Sequence, residues 1–319
     1  ADEPPGSHSG QIANNLADTG CFDTDDPKIP GVALIPYDVN AKLWSDGADK
    51  TRFMALPNGS TVTVDGDDDW VYPAGSFQVK NFFLDNKIIE TSLLMNRYDD
   101  SLGVARWHGY TYEWNDAETE ALRVVGGKSR DVNGQTWNYP SEAECIACHT
   151  DAAGGSLGPE TAQLNSHYQY PGVAGLKNQL DELDNIGMFS SPLPDSEVLP
   201  RLADTSDTNA SLEDRARAYL HTNCAQCHRP GTGVPTTMDL RYQTALSSMN
   251  TCDVVPAQGD LGLGSAARII APGDAASSVI IERMSRRDSV AMPPLGTELV
   301  DDEGLQLMRD WINSLESCL

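Results

Sequence analysis

The amino-acid sequence predicts an α+β multidomain protein. We expect a β-sandwich or barrel-like domain over residues 1–138, followed by two mainly α domains over 139–206 and 207–319. Before residue 138, hydrophobic and polar residues alternate as they do in half-buried strands. After residue 139 the hydrophobic spacing becomes helical, and the proline-rich stretch 190–206 is a candidate linker. A length of 319 residues also favours more than one hydrophobic core.

Three runs in the N-terminal part have the pattern of strands. The runs 77–84 and 88–95 flank a turn-like Asp-Asn-Lys sequence, so we interpret them as a hairpin. The run 106–114 places four aromatic side chains on one face: His108, Tyr110, Tyr112 and Trp114. Such a face could bind a sugar or a partner protein, but aromatic residues at strand spacing usually belong to a core. We therefore predict a sandwich or small barrel around this face.

Four segments beyond residue 138 have helical signals. Ser141 with Glu144 forms a capping box at the start of one helix. The segment 178–186 carries leucine and isoleucine three residues apart and ends before Gly187. Ser211 caps a third helix, and 301–315 carries one apolar stripe that predicts a terminal helix.

The charge balance limits the classes of partner. The chain has 47 acidic and 22 basic side chains, a net charge of −25, which excludes a binding surface for duplex DNA or an anionic membrane. No apolar run approaches the roughly 20 residues of a membrane-spanning helix. The acidic run 65–69 is interpreted as a solvated turn, because a calcium loop beginning at Asp65 would need Glu where Ser76 stands.

The beginning of the sequence predicts the location of the protein. Ala1 is not an initiator methionine, and no basic and apolar leader follows it. We expect a mature chain whose secretion signal has been removed, and therefore a periplasmic or extracellular protein.

Two copies of one cysteine motif define the expected chemistry. They are Cys145-Ile-Ala-Cys148-His149 and Cys224-Ala-Gln-Cys227-His228. This is the attachment signature of c-type haem. Residues three apart on a helical turn face the same way, so two thiols can form thioethers with one haem while the adjacent His binds iron. We therefore predict two covalently bound haem c groups, with His149 and His228 as proximal ligands.

Three other interpretations of the cysteine motifs are weaker. A zinc site would need further paired Cys or His ligands, and none follows either motif at ligand spacing. A redox dithiol has no reason to carry His at the next position twice. A simple disulfide within each motif would leave the two histidines unexplained in the same way.

Residues 207–319 resemble the class I cytochrome c domain. The resemblance rests on a helix leading into Cys224-Ala-Gln-Cys227-His228, a loop, and a terminal helix. In that family a Met on a proline-flanked loop binds the open face of the iron, which implies Met292 in Ala-Met-Pro-Pro, 64 residues beyond His228. Met284 is the rival ligand, but it lies in a helical segment where a core role is expected.

The whole chain also resembles a little-characterised family of exported bacterial dihaem c-type cytochromes. The resemblance is carried by Leu-Trp-Ser-Asp-Gly-Ala at 43–48, Gly-Tyr-Thr-Tyr-Glu-Trp-Asn at 109–115, and Gln-Leu-Asn at 163–165 with Asn-Gln-Leu at 178–180. It implies an N-terminal β domain and two mainly α cytochrome c-type haem domains, and it brings no substrate. Of the three remaining cysteines, Cys252 and Cys318 both lie in the class I-like unit and are the preferred disulfide pair, whereas Cys21 has no assigned partner.

The distal ligand of the first haem has several candidates. Met188 follows a predicted helix end, 39 residues beyond His149, and Met95 lies on a predicted strand. His108 or His167 would give bis-His ligation and a lower potential. An open iron face is the remaining alternative. The sequence leaves these choices open.

Two functions follow from two haems. The first is an electron carrier between extracytoplasmic partners, for which an acidic surface favours a partner with a basic docking surface. The alternative is a dihaem peroxidase-like enzyme with one open-faced haem, although no distal acid or base is recognisable by spacing. The β domain could serve docking, and self-association is left open.

Overall fold

The computed structural model describes residues 12–64, 69–99 and 102–318. The chain forms two compact units. Unit 1 contains residues 12–40 and Ala48–Arg201; unit 2 contains Ala41–Gly47 and residues 202–318. Asp65, Asp67 and Asp68 of the predicted solvated turn lie outside the described residues, as does the N-terminal segment on which the export prediction rests.

Unit 1 is built on one antiparallel sheet. Its strands along the chain are β1 (Ile35–Tyr37), β2 (Asp49–Ala55), β3 (Thr63–Val64), β4 (Trp70–Val71), β5 (Phe77–Leu84), β6 (Lys87–Asp99), β7 (Val104–Trp114) and β8 (Ala121–Val124). The main sheet has six strands in the order β1-β2-β5-β6-β7-β8, and β3 pairs separately with β4. Two further pairs are β9 (Lys128–Val132) with β10 (Gln135–Tyr139), and β11 (His167–Tyr168) with β12 (Lys177–Asn178).

The two faces of the main sheet differ in character. Alternate residues of β5, β6 and β7 form a hydrophobic face, and Leu16 and Phe22 of the N-terminal segment pack into the same core cluster. Tyr110, Tyr112 and Trp114 are buried in this cluster, so the aromatic run is core. The opposite side, here called the polar face, carries the buried polar side chains Arg52, Gln78, Glu90 and Asn96 and the half-buried Lys80. Buried polar groups need partners, so this face is where a functional site is expected.

The helices are short. Unit 1 contains α1 (Glu142–Cys148), α2 (Thr161–Leu164) and α3 (Gln179–Asn185); unit 2 contains α4 (Leu212–Asn223), α5 (Val279–Met284) and α6 (Asp302–Ser314). The capping box at Ser141 is present, and Ser211 caps α4 by accepting a hydrogen bond from the Asp214 amide at 3.0 Å. No helix within the described part of the chain is long and apolar enough to cross a membrane.

The predicted fold class is wrong. Helix accounts for only 22% of the structure, and the dominant element is one six-stranded antiparallel sheet. There is therefore neither a two-sheet sandwich nor a closed barrel among the described residues, and the segments with the cysteine motifs are not mainly α. The helical signals were real but local: the α-helices after residue 139 have between four and thirteen residues, and irregular loops fill much of the rest.

Unit 2 is held together by α4 and α6. Both helices contribute to one core cluster, which includes Leu220, Met308 and Trp311. The helices approach closely because Gly304 has no side chain: a Cβ there would overlap the ring of Tyr219. A disulfide joins Cys252 to Cys318 at the end of the chain and closes a separation of 66 residues.

Cys21 is a free, buried thiol in unit 1. It belongs to the core cluster on the hydrophobic face, and burial raises its pKa to about 11. The thiol is therefore protonated at neutral pH and packs as a small apolar group.

The contact between Gly304 and Tyr219 gives a prediction that reverses the usual helix preference. In most helices a change from Gly to Ala stabilises by up to about 1 kcal/mol. We expect Gly304→Ala to lower the free energy of unfolding by about 1–3 kcal/mol, because the added methyl group overpacks the helix crossing. Denaturant titration of the full chain measures the change.

The matched control is Gln306→Ala, at an exposed position of α6. Its effect should stay within about 0.5 kcal/mol. Equal stability of Gly304→Ala and the parent protein would contradict the described crossing of α4 and α6.

Candidate functional sites

The first cysteine motif lies on α1, which packs directly against β7. Cys145 and Cys148 belong to the helix and His149 is its C-terminal cap. The close contact occurs at Gly109 of β7, where a Cβ atom would lie 2.7 Å from the Cys145 sulfur. Because Gly109 faces α1, strand alternation places α1 on the polar face of the sheet.

The His149 ring is oriented by one hydrogen bond. Its Nδ1 lies 2.7 Å from the carbonyl oxygen of Gly155. A carbonyl only accepts, so Nδ1 carries the proton and Nε2 keeps its lone pair. Burial and the positive charge of Lys80 lower the pKa of His149 to about 3, which keeps the ring neutral. A neutral imidazole whose second nitrogen donates to a backbone carbonyl is the usual form of a metal-binding histidine.

The loop that supplies this carbonyl is closely packed. Gly155 has a φ of +69°, and a Cβ there would overlap the indole ring of Trp107 on β7. The next residue, Ser156, accepts a hydrogen bond from the Gln78 amide on β5. The loop is therefore fixed against the polar face at two successive residues, and the orientation of His149 is fixed with it.

The first cysteine of each motif is a protonated thiol at neutral pH. Burial raises the pKa of Cys145 to about 11 and that of Cys224 to about 12. Neither motif forms an internal disulfide. Over the described ranges, no cluster of three or more His, Cys, Asp or Glu side chains is arranged to hold a metal ion. The raised pKa values of Cys145 and Cys224 do not favour a low-pKa redox dithiol.

The candidate distal ligands of the first site lie in different places. Met95 on β6 is paired with His108 on β7. His108 precedes Gly109, which faces α1, so His108 and its partner Met95 point to the opposite face of the sheet, away from α1. His167 is exposed on β11. Met188 is buried in a core cluster with Leu183. Of these four residues, the structure does not bring Met95, His108 or His167 to His149.

Sequence reasoning missed Met54. It lies on β2, is fully buried in the same cluster as Met188, and its sulfur accepts a hydrogen bond from the Tyr72 hydroxyl at 3.8 Å. Its register partner on β5 is Gln78, which is on the polar face. The alternation within β2 would have revealed this position only if the pairing of the strands had been known.

The second cysteine motif follows α4. Cys224 caps the helix, and the amides of Cys227 and His228 both donate to its carbonyl, at 3.1 and 2.9 Å. Burial, followed by the charge of Arg283, lowers the pKa of His228. Its Nδ1 is buried and makes no hydrogen bond to any described residue. The ring is thus neutral and retains uncommitted nitrogen.

The two methionines proposed for the second site have different environments. Met284 is buried in the core cluster of unit 2. Met292 is half-buried and outside that cluster. Its amide donates to the carbonyl of Arg283 at 3.0 Å, and the Arg283 guanidinium donates to the carbonyl of Val290 at 2.9 Å. Arg283 therefore holds the loop of Met292 and also acts electrostatically on His228.

A short segment from early in the chain completes unit 2. The Asp46 carboxylate accepts hydrogen bonds from the amides of Glu298 and Leu299 at 2.9–3.0 Å. The Trp44 amide donates to the Asn223 side chain at 2.8 Å, directly before Cys224. The Leu-Trp-Ser-Asp-Gly-Ala motif thus connects the end of α4 with the loop after Met292. In the sequence this motif was notable only for its family resemblance. No local pattern indicated that it would connect these two distant parts of unit 2.

Comparison of the chain with protein-family models, with curated proteins and with solved structures finds no match. The functional argument therefore depends on the residues and the geometry of the two sites.

The Asp46 contacts predict a loss of stability when the carboxylate is replaced. Asp46→Asn keeps the size of the side chain and tolerates the positive φ of 50° at this residue, but only one of its terminal atoms can accept. The Glu298 amide approaches both carboxylate oxygens, so the NH2 group of Asn would face this N–H as a second donor, and we expect the free energy of unfolding to fall by about 1–3 kcal/mol. Thermal or denaturant unfolding of the full chain measures it.

Asp49→Ala is the control, since Asp49 is exposed at the start of β2. This variant should unfold like the parent protein. If Asp46→Asn matched it, the carboxylate would have no anchoring role.

Proposed function

We propose that the protein is an exported dihaem c-type cytochrome that transfers electrons between redox partners outside the cytoplasm. The observation that carries the proposal is the state of His149 within its motif. The ring is neutral, its Nδ1 donates to the Gly155 carbonyl, and its Nε2 is left for a metal beside two unbridged thiols. The second copy of the motif supports the same chemistry in unit 2.

The residues present fit two haem groups. Cys145 and Cys148 would hold the first group, and Cys224 and Cys227 the second, with the adjacent His149 and His228 as proximal ligands. Haem iron supplies a centre that gains and loses one electron, and the axial ligands tune its potential. The protein contributes the orientation of the two imidazoles and the exclusion of water around them.

Met292 is the proposed distal ligand in unit 2. Met284 lies on α5 and packs among the helices in the core cluster of unit 2. Met292 remains outside the core on a loop held by Arg283. Axial Met raises the potential of a c-type haem, as expected of a carrier.

For the first haem we propose a distal ligand from the cluster that contains both Met188 and Met54. This cluster borders the polar face through Tyr72 and Trp107. Its thioethers satisfy the soft-ligand requirement of a six-coordinate carrier. Partner recognition is proposed to be electrostatic: with a net charge of −25 the protein favours a basic docking surface, and association should weaken as salt rises.

The decisive experiment combines haem counting with spectroscopy of the oxidised protein. Denaturing mass spectrometry of protein produced with haem maturation should show the mass of two added haem groups. Electron paramagnetic resonance at low temperature should show two low-spin ferric signals. One haem or none would overturn the proposal, and a high-spin signal with peroxide turnover would replace the carrier with a peroxidase-like enzyme.

Met292→Ala tests the ligand in unit 2. We expect loss of the sulfur-to-iron charge-transfer absorbance of one haem and a lower potential for that haem, because the thioether is removed. Optical spectra and redox titration provide the measurement. Met284→Leu is the control and should keep both properties; the reverse pattern would assign the ligand to Met284.

A further inference from the structure

The polar face carries a row of unusual side chains across the sheet. In the strand register Tyr37 on β1 is opposite Arg52 on β2, and Arg52 is opposite Lys80 on β5. The same row continues through Ser92 on β6 to Thr111 on β7. Directly opposite residues in a sheet have neighbouring side chains on one face. A hydroxyl and two cations are therefore adjacent, and the row ends on β7 beside α1.

The row contains two cationic side chains, but only one of them pairs with a carboxylate of the described residues. The Arg52 side chain is 4% exposed and pairs with the Asp38 carboxylate at 2.6 Å. Lys80 has no ion pair with any carboxylate of the described residues, and its amine approaches only the Leu157 carbonyl, at 3.4 Å. Burial, with the charge of Arg52, lowers the pKa of Lys80 to about 8. Lys80 is half-buried, and a cation removed from water without a counterion is costly, so a further anion is expected here.

A third group at the row lacks a partner. The Tyr37 side chain is 2% exposed, and its hydroxyl makes no hydrogen bond to the described residues. A buried hydroxyl without an acceptor usually indicates a ligand or an unseen water. Here it lies next to Arg52, where an anion bound by the cations would supply the acceptor.

The distance from the cysteine motif identifies the anion. Cys145 contacts β7 at Gly109, which is two residues before Thr111 and therefore its nearest neighbour on the same face of the strand. Neighbouring strands are about 4.8 Å apart, so Lys80 and Arg52 stand roughly 10 and 14 Å across the sheet from β7. A haem bound to Cys145 and Cys148 through its vinyl edge carries two propionate carboxylates at its opposite edge. A haem held by these cysteines would reach from α1 over this row, so that its carboxylate edge would lie over the cations.

We propose that Lys80 and Arg52, with the Tyr37 hydroxyl, bind the propionate carboxylates of the first haem. The inference rests on the proposed function, since it requires a haem on Cys145 and Cys148. It assigns a role to the polar face that the carrier hypothesis alone does not require. It also accounts for the presence of a half-buried lysine and a buried arginine on a sheet whose other face is a hydrophobic core.

The test uses the full-length protein with haem attached and compares Lys80→Met with Lys177→Met. Lys177 is exposed on β12, so its variant makes the same change of charge away from the site. In Lys80→Met we expect two haems by mass, both low-spin signals retained, a negative shift in the potential of one haem, and a shift of its propionate bending bands in resonance Raman spectra. The potential falls because a cation that favours the added electron is removed.

Each other outcome has a definite meaning. Unchanged potential and Raman bands, as in Lys177→Met, would overturn the inference while leaving the carrier proposal intact. Loss of one low-spin signal would make Lys80 an axial ligand and would also overturn it. A parent protein without haem would refute the proposed function itself, which the mass measurement shows first.

A second variant covers failure of Lys80→Met to fold or to attach haem. Tyr37→Phe removes one hydroxyl and leaves the packing volume nearly unchanged. We expect it to carry two haems and to shift the propionate bending bands of one of them. Bands identical to those of the parent protein would overturn the inference in that case.

Discussion

The packing of α1 on β7 at Gly109 is the contact on which unit 1 depends. Without a side chain at Gly109, the helix lies close enough for the Cys145 sulfur to approach the strand backbone. That approach places the whole motif over the polar face rather than beyond the edge of the sheet. Gly155 likewise lacks a side chain and therefore packs closely against the Trp107 ring, which brings the Gly155 carbonyl to His149. Two close approaches thus orient one imidazole.

The sheet serves two purposes that require opposite chemistry. One face supplies hydrophobic burial, from Leu16 to Trp114, and stabilises the unit. The other face buries charged and amide groups that a stable core would avoid. A structure tolerates such groups where a bound ligand satisfies them. The hydrophobic face offsets the cost of burying these groups, and the proposed haem would explain why they are there.

The sequence was most informative where chemistry is local. The run 77–84 forms β5 with the same bounds, and the capping box at Ser141 starts α1. The motifs predicted neighbouring thiols and histidines, because these residues are adjacent in the chain. The fold class failed because short helical signals were extended into domains. Met54, Lys80 and Asp46 escaped because their roles depend on strand register and on contacts between distant parts of the chain.

Residues 41–47 belong to unit 2, although the chain on both sides of them belongs to unit 1. During synthesis Asp46 emerges 252 residues before Glu298, whose amide it binds together with that of Leu299. Unit 2 can therefore be completed only after residues 298 and 299 have been made. Until then the Asp46 carboxylate lacks the two amides from which it accepts hydrogen bonds. A fragment beginning after Arg201 would lack Trp44 and Asp46, and would leave the amides of Glu298 and Leu299 without the carboxylate that accepts from them.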